Sequence, residues 1–337
     1  MIAQWRLQKS KFSMEQLYAL VGISRQAVHK GSKRKCEVMT RNIEVFDQVD
    51  VIRSKHKKMG SRVLYSKLKD PPMGITAFEC LMSERGMTIP RSKKYIVTTQ
   101  SAGTSRYPNL KSGLKVNDIN QLIVGDITYY QPKVELYYIF ALKDVYSGRI
   151  VGLTGDTNMK ADKAQRCLAQ LVRLRGTAAL EGAIHHTDGG GQYRATAYLN
   201  RLNNYGMQIS QAYNSLENGC AEQLNDILKS GYLDNEEINN VKDLHHALWK
   251  IKRLINEDRP VRALGYRTPL AYEEYIADIP IDQRRIVERY DFTKDHCTTN
   301  GFVKASSPGK NLDTCQQTKE LRPKEDGAIM NGIPEHR

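Results

Sequence analysis

Residues 122–130 read "LIVGDITYY", an apolar, β-branched run with an acid, Asp126, at its centre. Leu, Ile, Val and Tyr in a run of this length predict a buried strand. An ionised carboxylate inside such a strand is costly unless a cation or a metal compensates it. An edge-strand aspartate facing water is the bland alternative, and one Asp alone does not exclude it. The sequence that follows is more informative. "LYYIFALKDVYS" (136–147) and "GRIVGLTGD" (148–156) complete three strands, antiparallel across a Ser-Gly turn. "NMKADKAQRCLAQLVRLRG" (158–176) is an amphipathic helix with Ala164, Leu168, Leu171 and Val172 on one face. "GAIHHTDGGGQY" (182–193) is a short strand ending at Asp188 in a glycine turn. "RATAYLNRLNNYG" is helical, "MQISQAY" is a strand and "ENGCAEQLNDILKSGYL" (217–233) is a helix. The order βββαβαβα predicts an α/β domain on a mixed sheet. "NVKDLHHALWKIKRLINEDR" (240–259) adds a helix, with Trp249, Leu248, Ile251 and Leu254 expected in its core face.

The 337 residues, 40% hydrophobic and 26% charged, are enough for two or three globular domains. No apolar stretch approaches bilayer length, and "MIAQWRLQKSKF" lacks a signal-peptide core, so no membrane partner and a cytoplasmic home are expected. Six cysteines (36, 80, 167, 220, 297, 315) without a C-x-x-C pair argue against a zinc ribbon or a disulfide framework. The net charge of +14 is confined: residues 1–112 hold 22 Lys and Arg against 8 Asp and Glu, which accounts for all of the excess. A basic first third beside a neutral remainder points to a polyanion, with nucleic acid as the partner.

Within that third, "FSMEQLYALVGISRQAVHKGSKRK" (12–35) has the outline of a helix-turn-helix. Ser13 and Gln16 fit a capping box, Leu17, Leu20 and Val21 form an apolar stripe, Gly22 makes the turn and Ser24 caps the second helix. Arg25, Gln26, His29 and Lys30 on that helix are candidate DNA contacts: Arg and Gln can read base edges, and the Lys and Arg that follow suit phosphates. The expected organisation is a helical region over 1–90, a basic linker over 91–118, a catalytic core over 119–280 and a poorly ordered tail over 281–337.

Three acids then stand out. Asp126 lies mid-way along the first strand of the core, Asp188 at the end of the fourth, and Glu222 early in the helix after the fifth. If the first and fourth strands are neighbours, the two aspartates lie side by side. Converging carboxylates repel unless divalent cations neutralise them, and oxygen ligands without Cys or a His pair select Mg²⁺ or Mn²⁺. Glu222 and Lys229, seven apart, share a helix face. His185 and His186 point to opposite sides of their strand, so each is read as structural.

At these residues the sequence resembles a transposase of the bacterial insertion-sequence group with a retroviral-integrase-like core, the product of the element's second reading frame. The motifs carrying the resemblance are "GDITYY", "LYYIFALKDVYSGRIVG", "IHHTDGGGQY", "NGCAEQLNDILK" and "RPVRALGYRTPLAYEEY", in order over about residues 45–280. The resemblance implies an RNase H-like catalytic core that cuts and joins DNA strands at element ends. It implies Asp126, Asp188 and Glu222 as catalytic metal ligands, Lys229 against the DNA, and Gln192 and Tyr193 orienting the site or the DNA. It implies two Mg²⁺ (or Mn²⁺) ions, double-stranded DNA of the element's terminal repeats and of the target, a homo-oligomer on DNA, and a first-reading-frame DNA-binding partner or fusion. The sequence departs from the pattern in the glycines of "DGGGQY", in a slightly short interval from Asp188 to Glu222, and in the Val-Gly before Asp126. Glu217 is the alternative third ligand. The competing readings are a non-catalytic DNA-binding protein and a ribonuclease acting on RNA–DNA hybrids. The basic helix-turn-helix and Lys229 speak against the ribonuclease.

Overall fold

The computed structural model describes residues 13–90, 107–213 and 215–291. The rest of the predicted linker and tail lies outside the described residues.

Helix α1 (Met14–Val21) opens with the expected capping box: the Ser13 hydroxyl accepts from the Gln16 N–H at 3.2 Å, and the Gln16 side chain accepts from the Ser13 N–H at 2.9 Å. Gly22 ends it at φ 68°, a left-handed conformation that glycine adopts without cost. Ser24 then caps α2 (Arg25–Lys55) by accepting from the Ala27 N–H. At 31 residues α2 is about 46 Å long. Only its C-terminal half is packed: α3 (Ser61–Tyr65) and α4 (Ile75–Glu84) close with it over Val45, Val49, Met59, Leu64, Phe78 and Met82. Of the expected stripe on α1, Leu17 is buried while Leu20 and Val21 are exposed.

In the core, β2 (Leu122–Tyr130), β3 (Tyr137–Asp144) and β4 (Ile150–Asp156) form an antiparallel meander. Helix α5 (Ala161–Arg175) crosses back to β5 (Ile184–Thr187), parallel to β2, and α6 (Thr196–Asn204) leads to β6 (Gln208–Gln211), parallel to β5. The sheet order is β4-β3-β2-β5-β6, an RNase H-like arrangement. Alternation along β3 serves two cores. Ile139 and Ala141 face α7 (Gly219–Gly231) and α8 (Val241–Arg253), while Phe140 and Leu142 face α5 and α6. With both faces covered, the strands read as apolar runs. Trp249, expected in the core, is 58% exposed, because α8 buries Leu244, Leu248 and Ile251 and places position 249 on the far side.

Two short strands bring the expected linker and tail together. Lys115–Val116 (β1) pairs antiparallel with Val287–Glu288 (β7), beyond α9 (Pro269–Ala277). The ordered core therefore begins before residue 119 and continues past 280. Neither two-residue strand has a periodicity that sequence can show; the pairing is held by Val116, buried against Leu264 and Tyr272.

The motifs "DVYSG" and "AYEEY" meet at a buried ion cluster. Asp144 accepts from the N–H groups of Asn120, Tyr146 and Ser147. Glu273 on α9 takes the guanidinium groups of Arg149 and Arg175 and the Ser147 hydroxyl. Burial works to raise the Glu273 carboxyl, but Arg175, Ser147 and Arg149 outweigh it and hold it below the ordinary value.

Candidate active site

The pairing of β2 with β5 brings the two aspartates together. Leu122, Ile123 and Val124 stand opposite Ile184, His185 and His186, and the same offset carries Asp126 to Asp188. Gly125 is required before Asp126: a Cβ there would lie 2.7 Å from the Leu142 side chain of β3. Asp188 leaves β5 in a turn, its carboxylate accepting from the Gly190 N–H at 3.0 Å. Gly189 in that turn has φ 74°, and a side chain there would collide with Gln211. Gly125 and Gly189 thus have local steric reasons, whereas a Cβ at Gly191 would meet nothing within 4 Å.

Helix α7 supplies the third acid. Ala221, Leu224 and Leu228 pack it onto the sheet and leave Glu222 exposed. Asn225, three residues on, donates its amide to the Asp126 carboxylate at 2.6 Å. This contact was missed at the sequence level; its only signal is the i, i+3 spacing from Glu222.

Burial pushes the Asp126 carboxyl up to about 7, and the charges of Asp188 and Glu222 add to the rise against hydrogen bonds from the Ile127 N–H and Asn225. Asp188 and Glu222 therefore lie within electrostatic reach of Asp126. Among the described residues none of them has a basic partner in an ion pair. Among the same residues, no three His, Cys, Asp or Glu side chains stand close enough together to hold a metal ion. An all-oxygen set around a buried acid that two others destabilise further fits a hard divalent cation.

Glu217 does not take Glu222's place. It is 3% exposed, accepts from the Asn109 amide and the Tyr213 N–H at 2.6 and 2.8 Å, and ties residues 109–111 to the core. Lys229 lies on the last turn of α7, its ammonium 5.2 Å from the centre of the exposed Tyr129 ring. Gln192 lies over the Asp188 turn, its side-chain oxygen 3.2 Å from where a Cβ on Gly190 would be. Tyr193, expected to orient the site or the DNA, is 5% exposed in an aromatic group with His185 and Tyr198. Buried there, its phenol lies within electrostatic reach of Asp126 and Asp188. Arg25, Gln26, His29 and Lys30 are all exposed on the first turns of α2, far along the chain from the acids.

The two histidines are structural, on opposite sides of β5: His185 bonds to the Tyr198 hydroxyl and His186 to that of Ser210, each at 2.9 Å. Burial holds His185 down to about 4, so it folds neutral. A depressed histidine contributes stability that is complete above its unfolded value near 6.5 and lost as pH falls towards 4. Urea melts at pH 7 and pH 4 should show this loss reduced by about 3 kcal/mol in His185→Phe relative to wild type. Parallel losses in both proteins would remove His185 as the source.

With the geometry in place, relatives can be set beside it. Two models, each described as an integrase core domain, match residues 117–213 and 204–269. The first contains Asp126 and Asp188, and the second contains Glu222 and Lys229. The transposase for insertion sequence element IS629 of Shigella sonnei is 27% identical over 235 residues, 67% of this chain and 78% of that protein. The transposase for IS904 of Lactococcus lactis is 28% identical over 180 residues, 52% of this chain and 70% of that protein. The chain is thus similar to insertion-sequence transposases and carries the integrase core that both models describe. Its chemistry is accordingly nucleotidyl transfer. The HTLV-2 integrase catalytic core domain, solved in complex with magnesium, overlays 46% of the chain and 97% of its own length at 18% identity, with a TM-score of 0.37. No helix of the described residues is long and apolar enough to cross a membrane.

Proposed function

We propose that this chain, which acts in DNA transposition and integration, cuts DNA strands at the ends of its element and joins them to target DNA. Asp126, Asp188 and Glu222 are its catalytic carboxylates and Mg²⁺ or Mn²⁺ its cofactor. The observation that carries this reading is the β2–β5 register, with the rise of Asp126 to about 7 through burial, to which the charges of Asp188 and Glu222 add. Hard cations, when bound, supply charge neutralisation and activation of a water or a 3′-hydroxyl. The rest belongs to the chain itself. Asn225 fixes the Asp126 carboxylate, and Gly189 lets the Asp188 turn close against Gln211. Lys229, braced on Tyr129, holds a phosphate of the strand beside the acids. Arg25 and Gln26 read bases, with His29, Lys30 and the lysines beyond them on the backbone. Residues 1–90 are the DNA-binding region and 119–280 the catalytic core, working as a homo-oligomer on duplex DNA with a first-reading-frame partner or fusion.

The test is joining of a short duplex carrying the inverted repeat that flanks the gene, with Mg²⁺ and any first-frame product supplied. Wild type should join ends. Lys229→Ala should lose joining by ~100-fold while its DNA affinity falls only slightly, since one phosphate contact among many is small in binding. Equal joining by both removes Lys229 from the site. No joining by wild type overturns the catalytic reading.

A further inference from the structure

Arg259 stands in the motif "RPVRALGYRTPLAYEEY" and takes no part in the acidic site. It follows a π-helical turn, Leu254–Asp258, closed by the Arg259 N–H on the Leu254 carbonyl at 2.8 Å. This widened turn presents Asp258 and Arg259 to the helical unit. Asp258 is committed there: it takes the Lys67 ammonium and bonds to His56 Nε2 at 2.8 Å, while His56 Nδ1 lies 2.7 Å from the Tyr232 hydroxyl. Arg259 has no carboxylate partner among the described residues. It lines a cleft of ≈ 680 Å³ between the helical unit and α7, together with Arg53, Lys57 and Lys58. The Arg53 guanidinium is held by the Met87 carbonyl at 2.6 Å. Lys57 and Lys58 are exposed and, among the described residues, form no ion pair. The opposite wall carries Asp226 and Ser230 of α7, so one acid faces four cations.

Confining like charges in a concavity costs stability in the free protein and favours a polyanion there. The position of the cleft says which one. Glu222, Asp226 and Ser230 are spaced i, i+4, i+8 and form one stripe of α7, so the cleft continues the helix face that carries the third acid. Eight residues of helix span about 12 Å. Measured along the axis of a DNA duplex, that is about three to four nucleotides of one strand.

We propose that this cleft seats the phosphodiester backbone of one DNA strand, about three to four nucleotides from the bond to be cut. Helical unit and core then grip the same strand, and Lys57, Lys58 and Arg259 supply its phosphate contacts. The distance to the cut rests on the proposed role of Glu222; the phosphate contacts do not.

The experiment measures affinity of the full-length chain for duplex DNA ending in the flanking inverted repeat, against salt, with Ca²⁺ so that no chemistry intervenes. Each lost phosphate contact lowers the slope of log affinity on log salt by about 0.9. The variant Lys57→Ala/Lys58→Ala should lose nearly 2, and adding Arg259→Ala nearly 3. Lys57→Arg/Lys58→Arg should keep the wild-type slope. An unchanged slope in the alanine variants, or an equal loss in the arginine variant, would overturn the proposal. Ethylation of single phosphates should block wild-type binding about three to four nucleotides from the cut and no longer matter in the alanine variants. Interference confined to other phosphates would also overturn it. These readouts need no strand joining, so a chain that binds this way but never joins ends loses the catalytic reading and keeps the cleft.

Discussion

Asp126→Asn is expected to abolish strand cleavage and joining, by about 1000-fold or more, equivalent to ~4 kcal/mol of transition-state stabilisation. The carboxylate lies beside Asp188 through the β2–β5 register and is held by Asn225, so the amide keeps the shape and loses the charge. DNA affinity should stay nearly unchanged, because the excess of basic residues lies in residues 1–112. The pH dependence of stability should change in a defined direction. Asp126 is raised from its ordinary 3.8 to about 7, so folding is undisturbed below the lower value and pays increasingly to deprotonate it as pH rises through 7. Without divalent cations at pH 8, the variant should therefore melt at higher temperature than wild type. Added Mg²⁺ should stabilise wild type and not the variant. Thermal melts with EDTA and with Mg²⁺, beside a cleavage assay, check all three points. If cleavage, DNA binding and stability fall together, Asp126 is a structural residue.

Glu273→Ala is expected to be the most damaging substitution outside the acidic site. It leaves the buried guanidinium groups of Arg149 and Arg175 facing one another without their shared carboxylate, and the Ser147 hydroxyl without its acceptor. Removing one partner of a buried ion pair costs about 3–5 kcal/mol, because the remaining charge has given up its water and gets nothing back. The cluster joins the β3–β4 turn to α5 and α9, at a distance from Asp126, so the loss should appear in denaturation and not in the pH profile of joining. Glu273→Gln should recover only part of it, since the amide accepts one hydrogen bond but carries no charge. A depressed Glu273 contributes stability above its unfolded value and loses it as acid protonates it, so wild type and Glu273→Ala should converge as pH falls below about 4. A change of less than about 1 kcal/mol at pH 7 would show that the arginines are solvated when unpaired.

Much of this protein is legible in its sequence because the deciding signals are local. The capping box at Ser13 and Gln16, the turn at Gly22 and the cap at Ser24 are each complete within four residues, and all three form as read. The order βββαβαβα follows from runs whose periodicity switches between strand and helix. It led to Asp126 beside Asp188 once β2 and β5 were taken as neighbours. What an individual face meets is not local. Trp249 and Leu248 adjoin in sequence, yet only the packing of α8 on the sheet decides that one is exposed and the other buried. Tyr193 follows the second aspartate, but that it is buried against His185 and Tyr198 is decided by packing alone. The pairing of β1 with β7 joins positions more than 170 residues apart through two-residue strands that have no pattern to read. The Asn225 bond to Asp126 and the cleft beneath Arg259 arise in the same way, from side chains distant in sequence that share a surface only after the chain has folded. Sequence by itself determined the elements and their caps and singled out the candidate acids; tertiary structure decided which side chains are covered, which charges face one another and which cations remain free, because burial and Coulomb energy depend on neighbours in space.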